Sequence, residues 1–218
     1  RLKQQYFFVS AGLIAYFKAH LRVYPNLDNL PEKVVFQLND THPVLAIPEM
    51  MRLLMDEYDY DWDSAWNLVN KCIAYTNHTV MAEALEKWPV HFVQLLLPRI
   101  YMIIEEINRR FVEQVKTNFP EDDGLVKRVS IIKDGQIHMA NLAIVSSMSV
   151  NGVAKLHTEI LKNDVMKDFY KIFEAKFNNK TNGITHRRWL VYSNPQLKAL
   201  LDKTIGDDYV YQPEHLLN

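Results

Sequence analysis

Two short apolar runs, Val34-Val35-Phe36-Gln37-Leu38 and Lys71-Cys72-Ile73-Ala74-Tyr75-Thr76, each lead into a polar turn, with helix-patterned sequence between them. The first run is β-branched at its start and nearly all apolar, which predicts a strand covered on both faces. Before it, Leu2, Tyr6, Val9, Leu13 and Phe17 recur at helical spacing over residues 2–22. Between the runs, helices are predicted from about Pro48 to Tyr58 and over 62–71, the second capped by Asp61. The resulting order is helix, strand, helix, strand, helix. It predicts an α/β chain with a mainly parallel, doubly wound sheet, whose ligands sit beyond the carboxyl ends of the strands. Asn39 to His42 and Asn77 to Thr79 occupy that position.

Further along, Pro98 opens a helix over 99–118 with Ile100, Ile103, Ile104, Ile107, Phe111 and Val115 as its buried stripe. Glu105 with Arg109 and Glu106 with Arg110 are its expected outer i,i+4 pairs. Arg128 to Lys133 and Gln136 to Met139 read as a hairpin around Asp134-Gly135. Asn141 to Ser147 fits either a helix or a strand, while Val153 to Leu161 and Val165 to Phe173 read as helices. A new segment is expected from about Lys180.

Composition narrows the chemistry. Only six glycines are present, all far apart, so neither a dinucleotide fingerprint nor a Walker loop can form. The net charge of −1 gives no basic excess for nucleic acid or an anionic membrane, and no apolar stretch approaches the length of a span. The single cysteine, Cys72, excludes an internal disulfide and reads as a small buried hydrophobe. The compartment reads as cytoplasm. The chain starts at Arg1 rather than Met and stops shortly after an unusual segment, Lys180 to Leu190, so a piece of a longer enzyme is expected.

Two candidate chemistries arise from the residues alone. His42 and His78, with Asp40 nearby, could ligate a metal, but no H-x-x-x-H spacing supports this, and histidines that shape a pocket are the simpler reading. Glu83 and Glu86 lie one helical turn apart and could form a glycosidase-like pair, although a pocket wall is the plainer alternative. Trp62 and Trp66 read as core. Trp189, after two arginines, is a candidate cofactor neighbour.

Several motifs then coincide. Gln37-Leu38-Asn39-Asp40-Thr41-His42-Pro43, Ala74-Tyr75-Thr76-Asn77-His78-Thr79, Glu83-Ala84-Leu85-Glu86, Val150-Asn151-Gly152-Val153, and Lys180-Thr181-Asn182-Gly183-Ile184-Thr185 followed by Arg187-Arg188-Trp189 resemble the α-glucan phosphorylases. The opening Arg1-Leu2-Lys3-Gln4-Gln5-Tyr6-Phe7 matches as well, and the motifs keep the family's order over almost the whole chain.

The resemblance implies part of a Rossmann-like domain of a two-domain, GT-B type glycosyltransferase. Residues 1–180 would be the second half of the amino-terminal glucan-binding domain, and 181–218 the start of the carboxyl-terminal cofactor domain. It implies phosphorolysis of a terminal α-1,4-linked glucose by inorganic phosphate, giving glucose 1-phosphate with retention. Pyridoxal phosphate would assist through its phosphate, whose second pKa of about 6 suits proton exchange near neutrality. Its anchoring lysine would lie outside this chain, which alone would be inactive.

By the same resemblance, His78 and Asn182 would bond the glucosyl 6-hydroxyl and Val153 would pack on the sugar. Arg1, Asp40, His42, Thr79 and Glu86 would line the channel, and Trp189 would lie against the cofactor. The whole enzyme would be a homodimer, and the piece could self-associate. Where the family often has proline, His186 stands, so that turn must be held by other means. Lys18 and Ala19 replace the tandem arginines with which animal enzymes grip AMP, which implies no nucleotide activation. Two other readings remain: a non-catalytic glucan-binding or assembly module, and a glycosyltransferase that uses a nucleotide sugar.

Overall fold

The computed structural model describes residues 1–217, so Asn218, the end of the expected second domain, lies outside the described residues. The chain forms two compact units, Arg1–Thr181 and a second that begins at Asn182. In chain order the first unit contains α1 (Leu2–His20), α2 (Leu30–Lys33), β1 (Phe36–Asn39), α3 (Ala46–Arg52), α4 (Trp62–Cys72), β2 (Ile73–Thr76) and β3 (Lys87–Pro89). It continues with α5 (Val90–Leu96), α6 (Pro98–Asn118), α7 (Leu125–Val129), β4 (Ile132–Lys133), β5 (Gln136–His138) and α8 (Met139–Ser146). Then follow β6 (Ser149–Gly152), α9 (Lys155–Ile160), α10 (Lys167–Ile172) and β7 (Phe177–Asn179).

The fold is α/β. Its main sheet has the order β1-β2-β6-β7, and every pairing is parallel. The second run does form a strand, the inner β2, buried at all four residues, but Lys71 and Cys72 belong to α4. The expectation for the first run needs correction. β1 is an edge strand whose burial alternates, with Gln37 and Asn39 exposed and Leu38 buried. Gln37 was the one polar residue in that run, and it marks the open face.

The helices follow their apolar periods. α1 buries Leu2, Leu13 and Phe17, and α6 buries the six residues of its stripe. Asp61 caps α4 by accepting from the amides of Asp63 (2.9 Å) and Ser64 (3.0 Å). The ion pairs on α6 differ from the expected set in one case. Arg110 does pair with Glu106 at 2.7 Å. Arg109 instead takes both oxygens of Glu106 and reaches Glu113, while Glu105 accepts the Tyr101 hydroxyl. The planar guanidinium fork matches one carboxylate bidentately, so it selects the i−3 partner here.

A second, antiparallel sheet has the order β3-β5-β4. Asp134 (φ 51°) and Gly135 (φ 70°) make its hairpin turn, the positive pair that a tight β-hairpin requires. The hairpin is shorter than expected. Arg128 lies in α7 rather than starting a strand, and in β4 only Ile132–Lys133 pairs with β5. The ambiguous stretch 141–147 is helical within α8, and the strands β3, β6 and β7 were not anticipated.

Polar anchors are buried between these elements. Glu49 on α3 has no exposed surface; it accepts from Tyr6 Oη (2.9 Å), Ser10 Oγ (2.7 Å) and two nitrogens of Arg52 (2.8 and 3.0 Å). Burial, and then the neighbouring Glu49 charge, push the Tyr6 hydroxyl pKa up. Lys176, just before β7, donates to the carbonyls of Ile144 and Val145 at 3.0 Å, near the carboxyl end of α8 where a cation is favoured. Burial pushes its ammonium down to about 8. Cys72 is fully buried, and burial raises its thiol to about 11. Among the described residues no helix is long and apolar enough to cross a membrane.

Candidate functional site

The carboxyl ends of β1, β2 and β6 are tied together by a row of side chains. Thr76 Oγ1 accepts from Gln37 Nε2 at 2.7 Å and donates to Asn151 Oδ1 at 2.8 Å. The backbone continues the same row: Asp40 N–H donates to Thr76 O (2.8 Å), and Asn77 N–H to Asn151 O (3.0 Å). Asp40 has φ 65°, a left-handed conformation that aspartate tolerates better than most residues. Its carboxylate accepts the Thr41 amide at 2.6 Å, which closes the turn leading to His42.

Asn77 organises the next loop. It is fully buried, and its Nδ2 donates to the Tyr75 hydroxyl at 3.1 Å. Its Oδ1 accepts the Thr79 amide (3.0 Å) and His157 Nε2 (3.1 Å). The other ring nitrogen of His157 accepts the Val153 amide at 3.0 Å. A backbone amide can only donate, so Nδ1 of His157 is the bare nitrogen and Nε2 carries the proton. One imidazole thus couples the loops after β2 and β6. The exposed His78 ring bonds Asn39 Oδ1 through Nε2, which must be the donor because the carboxamide oxygen only accepts.

Close packing sets the third loop. A Cβ placed on Gly152 would lie 2.4 Å from Thr158 Oγ1 and 3.0 Å from Thr158 Cα. Only glycine lets β6 run this close to α9. Thr158 Oγ1 also bonds Asn179 Oδ1 at 3.0 Å, which fixes the end of β7 to the same helix.

A second cluster forms where α1 meets the segment before β3. Arg1 lies 3.2 Å from His42 Nδ1 and 3.2 Å from Glu86 Oε1. Gln5 Nε2 donates to both Glu86 oxygens, at 3.0 and 3.2 Å. Arg1, His42, Glu83 and Glu86 line one concavity of ≈ 630 Å³ together with Lys87 and Trp88. The oxygens of Glu86 are therefore committed to nitrogen donors, the arrangement of a pocket wall. Trp62 and Trp66 pack against the core, as read from their spacing. Among the described residues, no group of three or more His, Cys, Asp or Glu could hold a metal ion.

Of the candidate residues in the first unit, Arg1, His42 and Glu86 share the concavity, and His78 is bonded to Asn39, the last residue of β1. Asp40, Thr79 and Val153 occupy the loop positions beside them and are held by backbone hydrogen bonds. Sequence reading missed Gln5, His157 and Thr158, and placed Asn77 in a strand-end loop without its bracing role. Nothing in the spacing links His157 to position 77, since the bond spans 80 residues. Replacing His157 with alanine leaves a buried carboxamide oxygen and the Val153 amide short of a partner. The expected loss of stability is about 1–2 kcal/mol, read from denaturant unfolding of the chain.

The second unit contains α11 (Pro195–Ile205). Asn182 is exposed, and Trp189, on the wide helical turn Arg187–Tyr192, is 71% exposed. The turn that lacks proline is held by His186, whose Nε2 donates to Val210 O at 3.0 Å, with Arg187 reaching the same carbonyl at 3.3 Å.

Residues 1–218 match the family described as carbohydrate phosphorylase. The chain is 51% identical over its whole length to the glycogen phosphorylase of Bacillus subtilis (strain 168). It is 51% identical to the muscle form of Mus musculus and 50% identical to that of Homo sapiens, each over 99% of the chain. In all three comparisons it spans 27% of the relative's length. A match that runs over residues 1–218 leads to one conclusion: the chain belongs to the carbohydrate phosphorylase family.

Proposed function

We propose that this chain supplies the glucosyl-binding part of an α-1,4-glucan phosphorylase. The whole enzyme would be a cytoplasmic homodimer that transfers the terminal glucose of a glucan to inorganic phosphate, with retention at the anomeric carbon. Residues 1–180 would belong to the amino-terminal domain and 181–218 to the carboxyl-terminal one. The observation that supports this reading is a set of polar side chains in and beside the strand-end loops: His78 beside Asn39, and Arg1, His42 and Glu86 around one concavity.

The chemistry suits a polyhydroxyl ligand. His78 carries its proton on Nε2 toward Asn39, so its Nδ1 is left to accept a hydroxyl proton, the role assigned toward the glucosyl 6-hydroxyl. Val153, half-buried and fixed through its amide by His157, offers an apolar contact. Arg1 would hold Glu86 and His42 in place beside the anomeric centre, with Asp40 and Thr79 shaping the adjoining loops. Asn182 and Trp189, in the second unit, carry the assignments that the resemblance gives them, as a ligand of the 6-hydroxyl and as a neighbour of pyridoxal phosphate. The exposed indole of Trp189 fits a flat aromatic group, which it could cover by stacking. When bound, the cofactor would supply proton exchange with substrate phosphate. The anchoring lysine would lie elsewhere, so the isolated chain would form no glucose 1-phosphate.

The test uses the full-length enzyme. His78→Ala is expected to lower kcat/KM for a maltooligosaccharide about tenfold, the equivalent of one net hydrogen bond. A 6-deoxyglucosyl substrate should lose most of its disadvantage in that variant. If the deoxy penalty is the same in both enzymes, His78 does not bind that hydroxyl and the assignment is wrong. Calorimetric titration of the isolated chain with the same sugar should give no measurable heat; tight binding would favour a non-catalytic glucan-binding module.

A further inference from the structure

The small antiparallel sheet carries a group of cations that the proposed function does not use. Lys87 lies directly opposite His138, and Lys133 opposite Gln136. Gln136 and His138 are two apart on β5, so all four residues share one face. Beneath them is a cleft of ≈ 240 Å³, lined by Lys87, Lys133 and His138 with Glu86, Arg128 and Asp168 at its walls.

The acids of this cleft are already engaged. Asp168 accepts Arg128 at 2.8 and 3.1 Å, and Glu86 accepts Gln5 and Arg1. Among the described residues, neither Lys87 nor Lys133 has an ion-pair partner, and the His138 ring makes no hydrogen bond. Lys133 Nζ donates to the Arg128 carbonyl at 2.5 Å, which anchors it without neutralising it. Lys87 and Lys133 sit on the two outer strands of this sheet with β5 and its His138 between them, so two ammonium charges without acidic partners border one cleft.

We propose that this cleft is an oxyanion site for a tetrahedral dianion, held by Lys87 and Lys133 with the His138 ring as a third donor. The site does not rest on the glucosyl-binding assignment. Phosphate, sulfate and phosphate monoesters share the required charge and acceptor geometry.

Burial pushes His138 down to about 4, and Lys133 and Lys87 push in the same direction. Lys87 faces it from β3, Lys133 from β4, Asp134 from the hairpin turn, Arg128 from α7, Asp168 from α10, and Glu86 from the segment before β3. A bound dianion would favour the imidazolium and raise its pKa. Binding therefore takes up a proton, and affinity rises as pH falls through the raised pKa of the bound state toward 4. Sulfate keeps its charge throughout that window, so it isolates the contribution of His138.

The experiment is an NMR titration of the His138 Cε1–H signal in the intact chain, at ionic strength held constant with chloride. Sulfate, inorganic phosphate and glycerol 3-phosphate are the probes. A saturable shift is expected, with sulfate binding severalfold tighter at pH 5.5 than at pH 7.5. Lys133→Met and the exposed Lys87→Met should each weaken sulfate at least tenfold; the second remains informative if the first fails to fold. Tighter binding of the monoester would identify a phosphorylated metabolite as the ligand, and tighter binding of inorganic phosphate the free anion; both support the site. A linear drift equal to that caused by chloride, or unchanged affinity in Lys87→Met, would overturn it.

Discussion

Glu49→Ala is expected to remove about 3–5 kcal/mol of folding stability. The carboxylate has no exposed surface and four donors, from Tyr6, Ser10 and two nitrogens of Arg52. Truncating it strands a mostly buried guanidinium whose remaining partner is Glu57 at 3.0 Å. It also cuts the polar link between α1 and α3. α1 carries Gln5 and is preceded directly by Arg1, the two donors to Glu86, so the damage should reach the concavity. Urea unfolding followed by far-UV circular dichroism would give the size of the loss. A double change, Glu49→Leu with Arg52→Met, should recover much of it, because apolar groups of similar volume leave no charge unpaired. A loss below about 1 kcal/mol in the single variant would mean that water reaches the pair.

Gly152→Val comes next, at or above the upper end of the roughly 1–3 kcal/mol typical of overpacking. The first added carbon would sit 2.4 Å from Thr158 Oγ1, 3.0 Å from Thr158 Cα and 3.1 Å from His157 Nδ1. The hydroxyl could be removed, but the α9 backbone could not, so Thr158→Ala should rescue the valine variant only in part. Displacing α9 also pulls His157 from Val153 and from Asn77. In the full-length enzyme the glucan KM should therefore rise along with the instability. Wild-type stability in Gly152→Val would show that β6 and α9 are free to move apart.

How far the residues alone could reach differs from element to element. The stripe of α6 was legible because one side of a long helix must be apolar wherever the helix docks. The inner strand β2 was legible because burial on two faces leaves no alternative composition. β6 and β7 were not, because Ser149, Asn151, Gly152 and the two asparagines of β7 carry weak strand preference. Their pairing partners stabilise them, and pairing is a long-range property. Gln37 gave the one overlooked local sign, since a polar residue inside an apolar run marked an edge strand.

The motifs that identify the family are local strings, and the chain order of short residue patterns was enough to find them. Arg1, His42, Asp40, His78, Thr79, Glu86 and Val153 could be named in that way. Their joining could not. The Asn77–His157 bond spans 80 residues, and the contact of Arg1 with His42 spans 41. The sequence by itself determined the family, the α/β class and the polar loops that follow the strands, since each of these is written in neighbouring residues. Only the tertiary structure decided that a histidine in α9 braces two of those loops, and that two lysines meet an imidazole across a small sheet. Hydrogen bonds and charge contacts form between atoms close in space, and chain separation says little about which ones will meet.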